Sequence, residues 1–147
     1  MPTAIWTDEI ETGFEKIDAQ HRTLFSLMAQ IDTEMVDNAP PNDLAGRLRQ
    51  LLEFTDLHFA TEERLMRKLG YDGLDVHVKS HEDLCERITV ATTRELDGHD
   101  LHGELMAILS AWLVEHIHTQ DLPMARWMRS LSRHDEPPST LEPEIRK

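Results

Sequence analysis

Seven side chains in this chain have the types and spacing to grip transition metals: His21, His58, Glu62, His77, His81, His116 and Asp121. They form H-x-x-x-E over 58–62, H-x-x-x-H over 77–81 and H-x-x-x-x-D over 116–121, with His21 alone upstream. Imidazole and carboxylate together suit iron, with zinc and manganese open on ligand type alone. A single zinc ion would use three or four of these groups and strand the rest. Two octahedral ions could draw on all five histidines, both carboxylates as bridges and one solvent-derived bridge. One coordination position would then stay open for an outside ligand, whereas a fully closed site would be structural. Five neutral imidazoles against two carboxylates put little negative charge on the metals. That favours the reduced ions, and reversible ligand binding over oxidative attack on a substrate. H-E-x-x-H, the zinc-protease motif, does not occur. The E-x-x-H spacing of ferritin-like carboxylate sites occurs for these residues only at Glu115–His118.

Such ligands need rigid elements to converge them, and the sequence supplies four helical patterns. The first runs roughly from Asp18 to Asp37 and stops at Asn38-Ala39-Pro40-Pro41, since proline cannot continue a helix. The second starts near Asn42 or Asp43, both good N-caps, and ends at Leu69 before a Gly70 cap. The third spans about Leu74 to Leu96, ahead of Asp97-Gly98. The fourth spans about Asp100 to Gln120, with a short fifth helix from Pro123 to about Ser132. Pro123 is expected to break the fourth helix around Asp121. Steps of three and four residues mark one seam per helix. They read His21, Leu24, Met28, Ile31, Met35; then Leu51, Thr55, His58, Glu62, Leu65, Leu69; then Leu74, His77, His81, Leu84, Ile88, Ala91; then Leu105, Leu109, Trp112, His116. The expected fold is all-α, an up-down-up-down four-helix bundle with an N-terminal arm and a short C-terminal helix. Ile5, Trp6, Ile10, Phe14 and Ile17 anchor the arm, and Gly13 breaks it.

The ligand candidates sit on these seams, where His and Glu are rare without partners. At about 1.5 Å per residue, each helix delivers its ligands roughly 24–27 Å from the same end of the bundle. One seam histidine would read as a hydrogen-bonded core residue; seven such groups on four facing seams read as one site.

The bulk composition fits a single soluble domain. The chain has 147 residues and a formal charge of −13, which argues against nucleic acid and anionic membrane surfaces as partners. No apolar run approaches the roughly 18 residues a membrane span needs. MPTAIWTDEI lacks the basic start and apolar stretch of a secretory signal, and Cys85 is the single cysteine, so the expected location is cytoplasmic. Cys85 reads as a small buried hydrophobe rather than a redox group. Met28, Met35, Met66 and Met106 fit core spacing. His118 points about 200° away from His116 and reads as surface. His99, His102 and His134 lie too far along the chain to join the seven. Residues 1–133 are read as one bundle domain and 134–147 as a polar, proline-rich, flexible tail.

The order and spacing of the seven residues, the stretch G-F-E-K-I-D-A-Q-H over 13–21, and W-L-V-E-H-I-H-T-Q-D over 112–121 resemble the hemerythrin family. The likeness runs roughly from Trp6 to Met128 and is close to the single-domain bacterial members. It implies a non-haem centre of two iron ions (Fe2+/Fe3+) with an oxo or hydroxo bridge that binds O2 reversibly, for storage, delivery or buffering. By that likeness His77, His81 and His116 hold one iron, while His21 and His58 hold the other, which carries the vacancy. Glu62 and Asp121 bridge. Leu24, Phe59, Trp112, Leu113 and Ile117 would wall the vacancy, and a dry wall protects the bound ligand from protons. Trp6 is read as cover rather than contact. The resemblance implies a binding protein and not an enzyme; the net charge favours a soluble monomer, and the protein partner is left open. Two other functions stay open: a sensor of O2, NO or redox state acting through a separate protein, and a reductase of NO or peroxide.

Overall fold

The computed structural model describes residues 4, 6–36, 44–97 and 105–135. They are helical almost throughout: a short 3-10 turn at Asp8–Ile10, then α1 (Glu15–Val36), α2 (Leu44–Leu69), α3 (Leu74–Leu96), α4 (Leu105–His116), a π turn at Ile117–Asp121 and α5 (Leu122–Asp135). Helix α1 packs on α2, α2 on α3, α3 on α4, and α4 back on α1, closing a four-helix ring. No strand occurs among the described residues. The expected stop at 38–41, the caps at Asn42 and Asp43, the fourth helix's start near Asp100, Gly98, Ile5, His99, His102 and the tail from 136 lie outside the described residues. The same holds for the side chain of His134.

Helix α1 begins a turn earlier than the sequence suggested. Asp18 does not open the helix; it closes the turn before it. Its Oδ1 accepts from the Thr12 amide at 2.8 Å and the Thr12 hydroxyl at 2.7 Å, and its Oδ2 accepts from the Gly13 amide at 3.0 Å. Gly13 takes φ +89° there, a backbone state few other residues adopt cheaply. Arg129 Nη1 donates to the Thr12 carbonyl and ties this turn to α5. Helix α2 ends as expected at Gly70, φ +75°. Tyr71 N–H donates to Met66 O at 3.0 Å and Gly70 N–H to Arg67 O at 3.3 Å, the pair of bonds of a Schellman cap. Arg67 and Lys68 in the last turn complement the helix dipole.

The fourth helix differs most from expectation. It does not break at Pro123. The chain passes from α4 through one π turn straight into α5, which runs on to Asp135. Leu122 N–H donates to Ile117 O, an i→i−5 bond. The hydrogen-bond ladder thus slips by one residue just where Pro123 has no N–H to give, so the helix continues instead of stopping.

Two apolar clusters stack along the bundle. The larger holds Leu24, Phe25, Met28, Leu51, Leu84, Leu109 and their neighbours. The smaller holds Ile17, Met66, Met124 and Met128 beneath Tyr71 and Trp127. Their positions on each helix lie on opposite sides of the candidate ligands, so a polar layer sits between two dry ones. Two seam details differ from the sequence reading. On α2 the buried position is Met66, while Leu69 is exposed and Leu65 half-buried. On α4 it is Leu113, with Trp112 half-buried. Steps of 3-then-4 and 4-then-3 residues are equally good helix patterns, and packing alone decides between them.

Candidate metal centre

All seven expected residues meet in that polar layer, and all are buried. Helix α1 brings His21; α2 brings His58 and Glu62 one turn apart; α3 brings His77 and His81 one turn apart; α4 ends on His116. Asp121 needs the π turn. In an α-helix, residues five apart diverge by roughly 140°. The i→i−5 turn wraps Asp121 back onto the face of His116. This is why H-x-x-x-x-D stands where the other helices use a spacing of four.

Each carboxylate is divided between two sets of histidines. Glu62 Oε1 lies 3.2 Å from His77 Nε2 and 3.0 Å from His81 Nε2, while its Oε2 lies 3.0 Å from His58 Nε2 and 3.6 Å from His21 Nε2. Asp121 Oδ1 lies 2.9 Å from His77 Nε2 and 3.2 Å from His116 Nε2, while its Oδ2 lies 3.0 Å from His21 Nε2. Two ligand sets result: Glu62, Asp121, His77, His81 and His116 on one side, and Glu62, Asp121, His21 and His58 on the other.

These distances fit ligands better than hydrogen bonds. His21 Nε2, His58 Nε2, His116 Nε2, Glu62 Oε2 and both Asp121 oxygens are buried without a hydrogen-bond partner. Buried polar atoms are rarely left so, because desolvation without compensation is costly. Ligand atoms about 2.1 Å from one ion and about 90° apart are themselves about 3 Å apart. The packing of nitrogens and oxygens matches that figure, and a cation on each side would satisfy these six atoms.

The electrostatics agree. Burial alone would lower the pKa of His21 and of His77, but the close oxygens and negative charge of Asp121 and Glu62 override it and raise each to about 9. Burial pushes Glu62 up, and His58, His21 and His77 outweigh it, holding its carboxyl well below the usual range. Burial and the Glu62 charge push Asp121 up, and His116 and His21 again hold it low. Without metal, these carboxylates favour the protonated rings of His21 and His77; metal would take the protons' place.

Sequence reasoning missed the residues that brace the histidines. Gln20 Oε1 pairs with His58 Nδ1 at 2.8 Å, Glu63 Oε2 with His81 Nδ1 at 2.8 Å, and Ser80 Oγ with His116 Nδ1 at 2.9 Å. Each pairing leaves Nε2 facing the centre. Each brace is next in sequence to a ligand on its own helix and serves the ligand of the following helix. The signal was present: a metal-binding imidazole normally engages its second nitrogen, and a ligand's sequence neighbour faces the adjacent helix.

Of the expected walls, Leu24, Phe59, Leu113 and Ile117 are buried beside the ligands. Phe59 stacks on His81 at 3.9 Å and 11°. Trp112 instead sits on the α3–α4 face, with the Arg87 guanidinium 5.6 Å from its ring. The Trp6 ring lies 6.4 Å from that of His21, and the Arg22 guanidinium lies 5.2 Å from the Trp6 ring. The arm is fixed by Ala4 N–H donating to Ser110 Oγ at 2.8 Å. His118 is exposed. Cys85 is half-buried rather than buried; it donates to Asp56 Oδ1 at 3.6 Å, and burial and the neighbouring carboxylates push its thiol up to about 12. No described helix is long and apolar enough to cross a membrane.

Comparison with known proteins points the same way as this geometry. The profile of the hemerythrin HHE cation binding domain matches residues 12–128. The chain is similar to the bacteriohemerythrin of Pseudomonas aeruginosa (strain LESB58), 31% identical over 121 residues, which cover 82% of this chain and 78% of the relative. It is similar to the bacteriohemerythrin of Clostridium acetobutylicum, 28% identical over 123 residues, 80% of this chain and 95% of the relative. It is also similar to the myohemerythrin of Riftia pachyptila, 31% identical over 113 residues, 77% of this chain and 83% of the relative. No solved structure matches the chain.

Proposed function

This chain belongs to the hemerythrin family of oxygen-binding proteins, and from that premise we propose that it binds dioxygen reversibly at a centre of two iron ions. The observation that carries the reading is the division of the Glu62 and Asp121 oxygens between two histidine sets. His77, His81 and His116 would hold one ion, and His21 and His58 the other, with both carboxylates bridging. Two ferrous ions held by these residues would supply the electrons on which oxygen binding depends. The set with two histidines offers fewer protein ligands, so an outside ligand would be taken up on that side.

The protein's own residues do the rest. Gln20, Glu63 and Ser80 keep three imidazoles oriented, so little reorganisation accompanies binding. Leu24, Phe59, Leu113 and Ile117 exclude water and the protons it carries, which slows irreversible oxidation. Trp6 covers His21. Storage, delivery or buffering of O2 is the role we favour, because among the described residues no cysteine, tyrosine or further carboxylate stands on the ligand seams.

The test is direct. Purified protein loaded anaerobically with ferrous iron is assayed for iron per chain, then exposed to O2 and purged with argon. We expect two irons per chain and a charge-transfer band that appears with O2 and fades on purging. A single iron, or a band that never reverses, would defeat the reading.

A further inference from the structure

Three imidazoles of the centre are braced through Nδ1, and the braces are not alike in charge. Gln20 on His58 is an amide and Ser80 on His116 a hydroxyl, both neutral. Glu63 on His81 is a carboxylate, 2.8 Å away. Its side chain is 21% exposed, so solvent screens it poorly. Arg67, at 3.8 Å from the other carboxylate oxygen and 58% exposed, offsets the charge only in part.

We propose that Glu63 is a positioning residue that tunes the centre: its charge makes His81 a stronger donor, tightening the three-histidine side and favouring its ferric state. This rests on the two-iron reading above. A carboxylate hydrogen-bonded to imidazole draws the Nδ1 proton toward itself and pushes electron density to Nε2. More density at Nε2 stabilises the higher charge on the metal. The two-histidine side has only Gln20, so the two metal positions are electronically unequal before any ligand arrives.

A merely mechanical role is the alternative, in which Glu63 only stops the ring from turning. The structure separates the two. Phe59 already stacks flat on His81 at 3.9 Å and 11°. The ring would keep its orientation if the charge were removed while the hydrogen-bond acceptor stayed.

Glu63→Gln does that. Cobalt(II) affinity, read by competition with a chelator, should fall about 10–100-fold. The midpoint potential of the iron-loaded protein should move upward, and Glu63→Asp should restore most of it. Arg67→Ala, a surface change that leaves Glu63 less neutralised, should move the potential downward. The opposite signs keep the test decisive even if one variant folds poorly. Potentials of Glu63→Gln and Arg67→Ala that both match wild type, in protein carrying two irons, would overturn this inference while leaving the function intact. Wild-type protein that takes up no metal pair would overturn both.

Discussion

At the scale of single residues, the centre makes unequal demands on its ligands. Glu62 offers one oxygen to each side, whereas His58 serves one side alone. Glu62→Ala is therefore expected to abolish binding of both ions, and His58→Ala to leave the ion held by His77, His81 and His116. Iron per chain and the absorption spectrum distinguish these outcomes. Protonation gives a second prediction, for metal-free protein. His21 and His77 rise from 6.5 to about 9 on folding. Groups raised in the folded state add stability that is full below the unfolded value and lost as pH climbs through the folded one. Metal-free protein should thus melt at falling temperature between about pH 6.5 and pH 9. Glu62 and Asp121 are depressed, so their contribution is present above the ordinary carboxylate range and lost on acidification below it. Iron-loaded protein should show a flatter melting profile from neutral to alkaline pH, because the metal keeps the imidazoles neutral. Thermal melts across a pH series check both arms.

At the scale of elements, much of the site was legible because helices are periodic. A spacing of four residues predicts that His58 and Glu62 share a face, and likewise His77 and His81, and each pair does. The Gly70 cap was legible too, since φ +75° suits glycine. A methyl group there would meet no neighbour within 4 Å, so the cost of Gly70→Ala is conformational alone. We expect about 1–2 kcal/mol, seen as a drop of about 3–6 °C in Tm. The π turn was not legible. Pro123 signals a stop to any reading based on local rules, and the extra residue between His116 and Asp121 reads simply as ligand spacing. What reconciles them is a slip of the hydrogen-bond ladder, set by the need to bury Asp121 among imidazoles from other helices. The start of α1 was missed for a similar reason. Asp18 could cap forward or close a turn backward, and the choice depends on Thr12 and Gly13 lying against Arg129 of a distant helix.

At the scale of the whole molecule, the polar layer is both the function and the weak plane. It places seven hydrogen-bonding groups between two apolar clusters, where the atoms that face the centre have only each other or metal to satisfy them. Metal bound there joins all four helices of the ring at one level. Stripping iron with a chelator should lower Tm on the order of 10 °C, with the loss reversed by ferrous iron under anaerobic conditions. The π turn carries this dependence into the lower half of the molecule. Met124 and Met128 pack against Ile17 and Met66 only because the ladder has already slipped. Removing one residue there, Thr119 for example, would restore an ordinary helix with the aspartate four residues after His116, still on the same face. Inserting one more, with no second slip to absorb it, would swing everything after it by about 100°; Asp121 and both methionines would leave their partners together, and that variant should neither hold iron nor fold stably by circular dichroism. Exposed letters in this stretch, such as His118 and Thr119, can be rewritten at little cost, but its slack is spent: the ladder has swallowed one surplus residue and has no room for a second.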